Sequence, residues 1–181
     1  MNLSNVEIVY KDINHEYLNQ VYSIHKQKLG TGYLDLKHFE NLAEKEWLLI
    51  ALNNDEVLGY LSIEHTTEKE FFKGKKIIHQ QNEAPVLVVN TCAVKYENCG
   101  IGTMLMDFAI TNFSNNAEKI FCPAWKHGDK TNAHKLLSKF GFVKLIELKN
   151  FWYEDSLNIE KFCPVCNTPC TCSLIIYYTM C

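Results

Sequence analysis

The sequence predicts a single α/β domain spanning residues 1–181, in which one β-sheet is flanked by helices. Short apolar segments of the strand type alternate along the chain with amphipathic segments that have the helical period. A valine-rich apolar segment, 85–94, is followed by Gly100 and Gly102 and then by a helical pattern. No repeat or flexible linker interrupts the 181 residues, a length that suits one domain. The predicted order of elements is βααβββαβαββ.

In the first half of the chain, periodicity and turn residues predict three strands and two helices. Asn14 is a suitable N-cap for the first helix, and Gly30 ends it. The turn-forming residues 53–55 lie between two apolar segments, as in a β-hairpin. Residues 65–83 are polar and without a clear period, which predicts a loop. The predicted elements are a strand over 5–10, helices over 14–29 and 35–44, and strands over 47–52 and 56–63.

The second half predicts a buried strand and then an alternation of helices and strands. The valine-rich run 85–94 is typical of a central strand that is buried on both faces. Gly141 is placed to end the second of the two helices, and residues 150–172 are irregular and rich in cysteine. The elements predicted after residue 94 are helices over 101–113 and 130–140 and strands over 119–124, 142–149 and 174–180.

Composition excludes several classes of protein. Hydrophobic residues make up 47% of the chain and charged residues 22%, which argues against disorder. The formal net charge is −3 and arginine is absent, so a nucleic-acid partner is not expected. No run of 18 apolar residues predicts a membrane helix, and the N-terminus has no secretory pattern, so we expect a cytoplasmic protein. The sequence does not distinguish a monomer from a homodimer.

The junction between the buried strand and the following helix is the most informative motif. A helix N-terminus offers free N–H groups and a positive dipole end, and glycine lets a phosphate approach closely. A dinucleotide-binding fold would need a third glycine where Leu105 stands, and the lysine of a nucleoside-triphosphate-binding loop is absent. Neither of these nucleotide-binding folds is therefore favoured.

Two segments resemble the GNAT superfamily of acetyl-CoA-dependent N-acetyltransferases. Residues 97–102, Glu-Asn-Cys-Gly-Ile-Gly, match the glycine spacing of the family's pyrophosphate signature, Gln/Arg-x-x-Gly-x-Gly/Ala. Residues 130–142 resemble the family segment Asn-x-x-Ala-x-x-Leu-Tyr-x-x-x-Gly-Phe. The predicted order of elements also agrees with the family, so the resemblance implies the GNAT fold, a central mixed sheet flanked by helices.

The resemblance implies direct transfer of an acetyl group from acetyl-CoA to an amine of a small molecule or protein. Glu97, Lys130 and Leu137 depart from the family's Gln/Arg, Asn and Tyr. Because Leu137 cannot protonate the leaving thiolate, a degenerate CoA-binding protein that acts as a sensor or interaction module is the alternative. The residues expected to contact the cofactor are Cys92, Ala93 and Val94 at the thioester, Cys99, Gly100, Ile101, Gly102 and Thr103 at the pyrophosphate, and Lys130 and Asn132 nearby.

The sequence does not identify the general base. Glu64 and His127 are weak candidates because each follows or ends a predicted strand, and His65 shares that position; a solvated side chain is the more frequent role there. Tyr153 is one candidate for the missing acid, chosen without support from spacing. The loops over 28–40 and 65–83 are expected to select the acceptor.

Two thiols and two aromatic residues have roles that the pattern leaves open. Cys92 and Cys122 lie in apolar strands, where cysteine is more often a core residue than an acyl carrier. Trp125 and Tyr33 can line an acceptor pocket or belong to the core.

Four cysteines lie close together in a cysteine-rich insertion over 162–173, before the last strand. Zinc takes four tetrahedral ligands, and Cys163 and Cys166 form a CxxC pair. Cys170 and Cys172 complete a predicted structural zinc site, with redox or iron–sulfur chemistry and unliganded thiols as alternatives. Cys181 or a distant histidine can replace one ligand. No lysine follows Cys163, which argues against a zinc knuckle for nucleic acid.

Overall fold

The computed structural model describes residues 5–77, 82–128, 130–131, 133–158 and 160–181, with 130–131 described by their backbone. Its elements, in chain order, are β1 (Val6–Val9), α1 (His15–Leu29), α2 (Leu36–Glu44), β2 (Leu48–Asn53), β3 (Glu56–Thr67), α3 (Glu68–Gly74), β4 (Pro85–Val94), α4 (Ile101–Phe113), β5 (Lys119–His127), β6 (Lys130–Thr131), α5 (His134–Lys139), β7 (Val143–Leu148), a short 3-10 helix (Asp155–Leu157) and β8 (Ser173–Met180).

The strands form one mixed sheet in the order β1-β2-β3-β4-β5-β8-β7, and β6 pairs with β5. Strands β1 to β4 are joined by antiparallel pairs, and β5, β8 and β7 form a second antiparallel group. The two groups meet at β4 and β5, which are parallel. The mixed sheet flanked by helices that the sequence predicts is confirmed.

Helices cover both faces of this sheet because successive strand residues point to opposite sides. On one face, Leu49 and Ala51 of β2 pack in a core cluster with α4, and on the other Leu48 and Ile50 pack with α1 and α2. Helix α3 adds Phe71 and Phe72 to a third cluster, which contains residues of β4, β5 and β8. The sheet therefore has apolar side chains buried on each side of its central strands.

The first helix begins after its predicted cap, Asn14, and the structure shows that Asp35 caps the second helix. The Oδ1 atom of Asn14 accepts the N–H of Tyr17 at 2.9 Å, and Oδ1 of Asp35 accepts the N–H of His38 at 2.8 Å. These bonds satisfy N–H groups that lack a partner in the first turn of a helix. The predicted turn after β2 is also confirmed, with Asn54 in the left-handed region at φ 54°.

The loop predicted over 65–83 is wrong in its first part. Strand β3 continues to Thr67, which lies opposite Pro85 of β4, and helix α3 follows at once. The Oγ1 atom of Thr67 accepts the N–H of Glu70 at 3.3 Å, and Phe71 and Phe72 are buried behind this cap. Residues 78–81 lie outside the described part of the chain.

The helix predicted over 130–140 begins later than expected. Lys130 and Thr131 pair with His127 and Lys126 as the short strand β6, and α5 starts only at His134. Pairing with β5 holds the backbone of these two residues extended, so the helix can begin only after them.

Candidate active site

A cleft opens in the middle of the sheet because β4 and β5 diverge. Within the described residues their parallel pairing runs from Val86 opposite Lys119 to Val88 opposite Phe121, and both strands then continue apart. The space between them is part of a cleft of about 1150 Å³ that is lined by residues 89–94 of β4 and 122–125 of β5. Strand edges that separate in this way present unpaired N–H and C=O groups to a ligand.

Backbone N–H groups of β4 face this cleft near its C-terminal end. The N–H of Lys95 donates to the carbonyl oxygen of Leu58 on β3 at 2.8 Å. Because backbone groups in an antiparallel pair alternate between the two sides of a strand, the N–H groups of Cys92 and Val94 point away from β3 and toward the cleft. This is the position that the sequence predicts for donors to a thioester oxygen.

The glycine motif forms the loop and first turn of α4 at one end of the cleft. Asn98 and Gly100 have φ values of 58° and 85°, and Gly100 is the N-cap. The N–H of Met104 is bonded to the carbonyl oxygen of Gly100 at 3.0 Å, so the N–H groups of the preceding residues have no acceptor in the helix. Free N–H donors and the positive end of a helix dipole together suit this position to an anion.

The residues predicted to contact the cofactor fall into three groups. Cys99 and Ile101 pack against or within the core, so only their backbone is suited to a ligand. Only the backbone of Lys130 is described, and Asn132 lies outside the described residues. The predicted residues that line the cleft are Cys92, Ala93, Val94, Gly100, Gly102 and Thr103.

Lysine side chains give the rim of the cleft a positive charge. Three carboxylates, those of Glu64, Glu97 and Asp155, also line it. The unexpected acid of the glycine motif, Glu97, is 68% exposed and pairs with Nζ of Lys28 at 3.4 Å, so it adds little negative potential to the loop. The lysines that line the cleft are Lys28, Lys45, Lys75, Lys135, Lys139 and Lys161.

A carboxylate held in a fixed position lies in the wall of the cleft. Asn90 is the extra residue of a bulge in β4, between Thr91 opposite Ser62 and Val89 opposite Ile63. Its Nδ2 donates to Oε2 of Glu64 at 2.9 Å, and both side chains are partly buried. Glu64 therefore presents an oriented carboxylate beside the exposed edge of β4.

The other candidates for acid–base chemistry lie elsewhere. His65 is exposed and lies beside the ring of Phe113, with 6.5 Å between the ring centroids. His127 is exposed, and its Nδ1 lies 3.6 Å from Sγ of Cys172. Leu137, at the family's tyrosine position, is fully buried, and Tyr153 is 39% exposed. Of these four residues, His127 is the one that the structure places beside the cysteine cluster.

The two thiols in the central strands have the properties of core residues. Both line the cleft, and burial raises the pKa of Cys92 to about 12. Burial, with a smaller effect of the charge at Cys92, also raises the pKa of Cys122. At neutral pH both are protonated, which favours packing over nucleophilic attack.

Two buried polar atoms line the cleft on the side of α1 and α2. Nδ1 of His25 lies 2.7 Å from the hydroxyl of Tyr60, whereas its Nε2 is buried with no partner in the described part of the chain. The hydroxyl of Tyr33 is also buried and unpaired there, and burial raises its pKa to about 12. Sequence reasoning named Tyr33 and missed His25, because a histidine on a helical stripe carries no signal of burial.

The four cysteines of the predicted metal site come together. Their sulfur atoms lie within 4.8 Å of one another, with Cys163 at 3.4 Å from Cys166 and 3.9 Å from Cys172. Four thiolates at 2.3 Å from a tetrahedral zinc ion are about 3.8 Å apart, so the arrangement matches such a site. Sγ of Cys166 also accepts the N–H of Thr171 at 3.4 Å.

The electrostatics of the cluster favour a thiolate at one ligand, the partly buried Cys166. Burial alone would raise the pKa of Cys166, but hydrogen bonds from the Thr171 amide and the neighbouring thiols together lower it to about 7. Burial raises the pKa of Cys170 to about 11 and also raises that of Cys172. Such thiols need a cation to become deprotonated together.

The chain is similar in sequence and in fold to acetyltransferases. The sequence model of the acetyltransferase (GNAT) family matches residues 9–142. No curated protein sequence matches the chain. Among solved structures, Arabidopsis thaliana NAA60 in complex with a bisubstrate analogue has a TM-score of 0.71 at 15% identity, covering 97% of each chain.

Two further structures share the fold at similar identity. The NatC complex bound to Gag peptide and CoA gives a TM-score of 0.68 at 15% identity, with 98% of this chain and 99% of that chain covered. An N-acetyltransferase from Staphylococcus aureus Mu50 gives 0.66 at 14% identity, with the same coverage. No helix in the described residues is long and apolar enough to cross a membrane. With a family match that extends from β1 to the end of α5, the chain belongs to the acetyltransferase (GNAT) family and is a transferase of the acyl-group class.

Proposed function

We propose that the chain transfers the acetyl group of acetyl-CoA to a primary amine in the cleft between β4 and β5. The observation that carries this proposal is the divergence of these strands beside the glycine-capped start of α4. The first feature gives a thioester access to backbone donors, and the second provides a site for phosphate. The amides of residues 99–103 bind the pyrophosphate, and Lys135 and Lys139 are positioned for other phosphate oxygens.

The transfer is a direct attack on the thioester. The neutral amine forms a bond to the acetyl carbon, and the carbon–sulfur bond breaks with its electron pair leaving on the CoA sulfur. The extra proton that the nitrogen then carries passes to the departing thiolate or to solvent. The N–H groups of Cys92 and Val94 stabilise the negative charge that develops on the carbonyl oxygen. The thiolate leaves without a protein acid at the Leu137 position, because a thiol pKa of about 8.5 makes it an adequate leaving group.

We assign to Glu64 the role of general base, which removes a proton from the amine substrate. The amine arrives as an ammonium ion and must lose a proton before it can attack. The partly buried carboxylate of Glu64 accepts that proton, directly or through water, and Asn90 holds it in place. Asn90 and Thr91 belong to the same cleft wall, so the carboxylate lies close to the strand edge on which the thioester is expected.

The acceptor class we favour is the amino group at the start of a peptide, with small polyamines as the second class. Arabidopsis thaliana Naa50 was solved with the bisubstrate analogue CoA-Ac-MVNAL and NatC with a Gag peptide, whereas another fold relative is an agmatine N-acetyltransferase. A long cleft with aromatic and aliphatic walls at Tyr33, Leu34 and Trp125 suits the side chain of a first peptide residue.

The cysteine cluster is proposed to hold one structural zinc ion. All four ligands come from the described residues 163–172, and Cys163, Cys170 and Cys172 are buried. With no position left open for substrate, such an ion stabilises the fold and takes no part in the transfer. The site requires reduced thiols, in agreement with the cytoplasmic location that the sequence predicts.

The assay follows release of the CoA thiol with a peptide that has a free amino terminus, the same peptide blocked by acetylation, and agmatine. The proposal requires turnover with a free amine and none with the blocked peptide. Saturable CoA binding without turnover on any amine would instead establish the degenerate, sensor-like alternative. Metal analysis of the purified protein tests the zinc assignment separately.

The role of Glu64 is tested by Glu64→Gln. Removing a general base lowers kcat/KM by about 10²–10⁴-fold, and the pH dependence of the remaining rate should change. The matched control is Glu70→Gln, because Glu70 borders only a smaller pocket of about 360 Å³ and faces Lys73 at 3.4 Å. Equal rates for the two variants would remove Glu64 from the mechanism while leaving the transfer itself intact.

A further inference from the structure

The segment that carries the cysteine cluster also touches the loop between α1 and α2. Thr31 and Phe162 form an isolated antiparallel bridge. The N–H of Thr31 donates to the carbonyl oxygen of Phe162 at 3.2 Å, and the N–H of Phe162 donates to that of Thr31 at 3.0 Å. Phe162 immediately precedes Cys163, so the first metal ligand is one residue from the bridge.

Two glycines allow the backbones to approach this closely. A Cβ atom on Gly30 would lie 2.2 Å from the carbonyl oxygen of Phe162, and one on Gly32 would lie 2.1 Å from that of Glu160. Both glycines also have positive φ values, 103° and 78°. Other residues are excluded on two independent grounds, steric and conformational, so the α1–α2 loop is shaped for contact with residues 160–162.

The same loop forms a wall of the cleft. Tyr33 follows Gly32 and lines the cleft together with Cys163 and Cys170. Nζ of Lys161 lies 5.7 Å from the centre of the Tyr33 ring. The segment that carries the cluster therefore contacts the loop, and both line the cleft.

We propose that metal binding at Cys163, Cys166, Cys170 and Cys172 sets the affinity for the amine acceptor by holding the α1–α2 loop in place. The ion fixes the backbone on both sides of Cys163, the Thr31–Phe162 bridge transmits this order, and the loop keeps Tyr33 at the cleft wall. This inference rests on the proposed zinc site and acetyl transfer. At the CoA end of the cleft, the link to this region among the described residues is the exposed ion pair of Lys28 with Glu97, whereas the pyrophosphate donors are backbone groups at the start of α4, so CoA affinity should change little on loss of the ion.

Coupling of this kind is reciprocal. If the ion favours the closed loop, then a loop that cannot close must weaken the binding of the ion by the same factor. Gly32→Ala prevents closure, because its Cβ would overlap the carbonyl oxygen of Glu160. Gly74→Ala is the matched control: a Cβ atom there meets nothing within 4 Å.

The first experiment measures hydrogen exchange in the zinc-loaded full chain and after removal of zinc with a chelator. Exchange at residues 28–34 and 160–163 should become at least about tenfold faster on metal removal, while helix α4 is unchanged, because only opened segments exchange faster. The Kd for CoA, measured by calorimetry, should stay within about twofold. Unchanged exchange at Thr31 after metal removal would overturn the proposal, whatever acceptor the enzyme uses.

The second experiment measures zinc affinity of the two glycine variants by competition with a chromophoric chelator. Gly32→Ala should bind zinc at least about tenfold more weakly than Gly74→Ala and show fast exchange at residues 28–34 even with zinc bound. If removal of zinc unfolds the whole chain, the zinc affinities of these two variants still test the coupling between the ion and the loop. Equal zinc affinities for the two variants would refute the coupling, as would disulfides and no metal in the purified protein. Once an acceptor is known, Gly32→Ala should raise its KM without changing the KM for acetyl-CoA.

Discussion

The protonation of His25 is expected to limit the stability of the fold in acid. The side chain is 3% exposed, its Nδ1 lies 2.7 Å from the hydroxyl of Tyr60, and its ring packs against that of Phe39 with 5.3 Å between centroids. Burial, and to a smaller extent the charge of His38, lowers its pKa from 6.5 to about 4. The folded protein therefore keeps this imidazole neutral at a pH where the unfolded chain protonates it.

The sign and size of the effect follow from linkage. Between pH 6.5 and about 4 the unfolded state binds more protons than the folded state, so the free energy of unfolding falls as the pH falls. The part of the free energy of unfolding that comes from keeping His25 neutral is complete above pH 6.5. It is lost progressively as the pH falls below that value. At about 1.4 kcal/mol per pH unit, the loss reaches about 3 kcal/mol by pH 4.

The assay is urea unfolding of the wild type and of His25→Gln between pH 7 and pH 4. The variant should be less stable at pH 7, because a polar group that packs less well replaces the ring, and the difference should shrink by about 3 kcal/mol as the pH falls. Other groups, such as Glu147 and the cysteines, titrate in both proteins and cancel in the comparison. Parallel stability curves for the two proteins over this range would refute the reasoning.

Two further variants test the start of α4, one at Gly59 of β3, which packs against Ile101, and one at the N-cap Gly100. Gly59→Ala should destabilise the fold by about 2 kcal/mol in urea unfolding. The reason is steric, because its Cβ would lie 2.9 Å from the carbonyl oxygen of Ala93 and 3.2 Å from Cγ2 of Ile101. A loss of stability below about 0.5 kcal/mol would contradict this expectation. Gly100→Ala places a side chain at φ 85°, so we expect a strain of about 1–2 kcal/mol and CoA binding about tenfold weaker by calorimetry. Unaltered CoA affinity in this variant would mean that the phosphate binds elsewhere.

Features with a local signal could be predicted from the sequence. The cap at Asn14, the turn at Asn54 and the glycine start of α4 each depend on a few neighbouring residues, and the structure confirms them. The spacing of Thr67 and Glu70 is a local signal for the start of helix α3 as well. The lysines of this short helix leave too few apolar residues to show a helical period.

The geometry of the site depends on contacts between distant residues, which no local pattern reveals. The bulge that turns Asn90 toward Glu64 is a property of the β3–β4 register. The position of His127 follows from β5 pairing with β8, whose first residue, Ser173, lies next to Cys172 and opposite Lys126. The neighbours of these side chains could therefore be assigned only once the order and register of the strands were known.

The three-residue pairing of β4 with β5 also has a consequence for the route by which the chain folds. Strands β1 to β4 each pair with the next strand along the chain, and β2 and β3 are joined by a tight turn at Asn54 and Asp55, so we expect pairing in this block to begin early with that hairpin. Strand β5, by contrast, needs β8, about fifty residues further along, as its antiparallel partner, and β7 also pairs with β8. The slow step of folding should therefore be the insertion of β8 between β5 and β7, which the chain must complete before the two blocks close around the cleft.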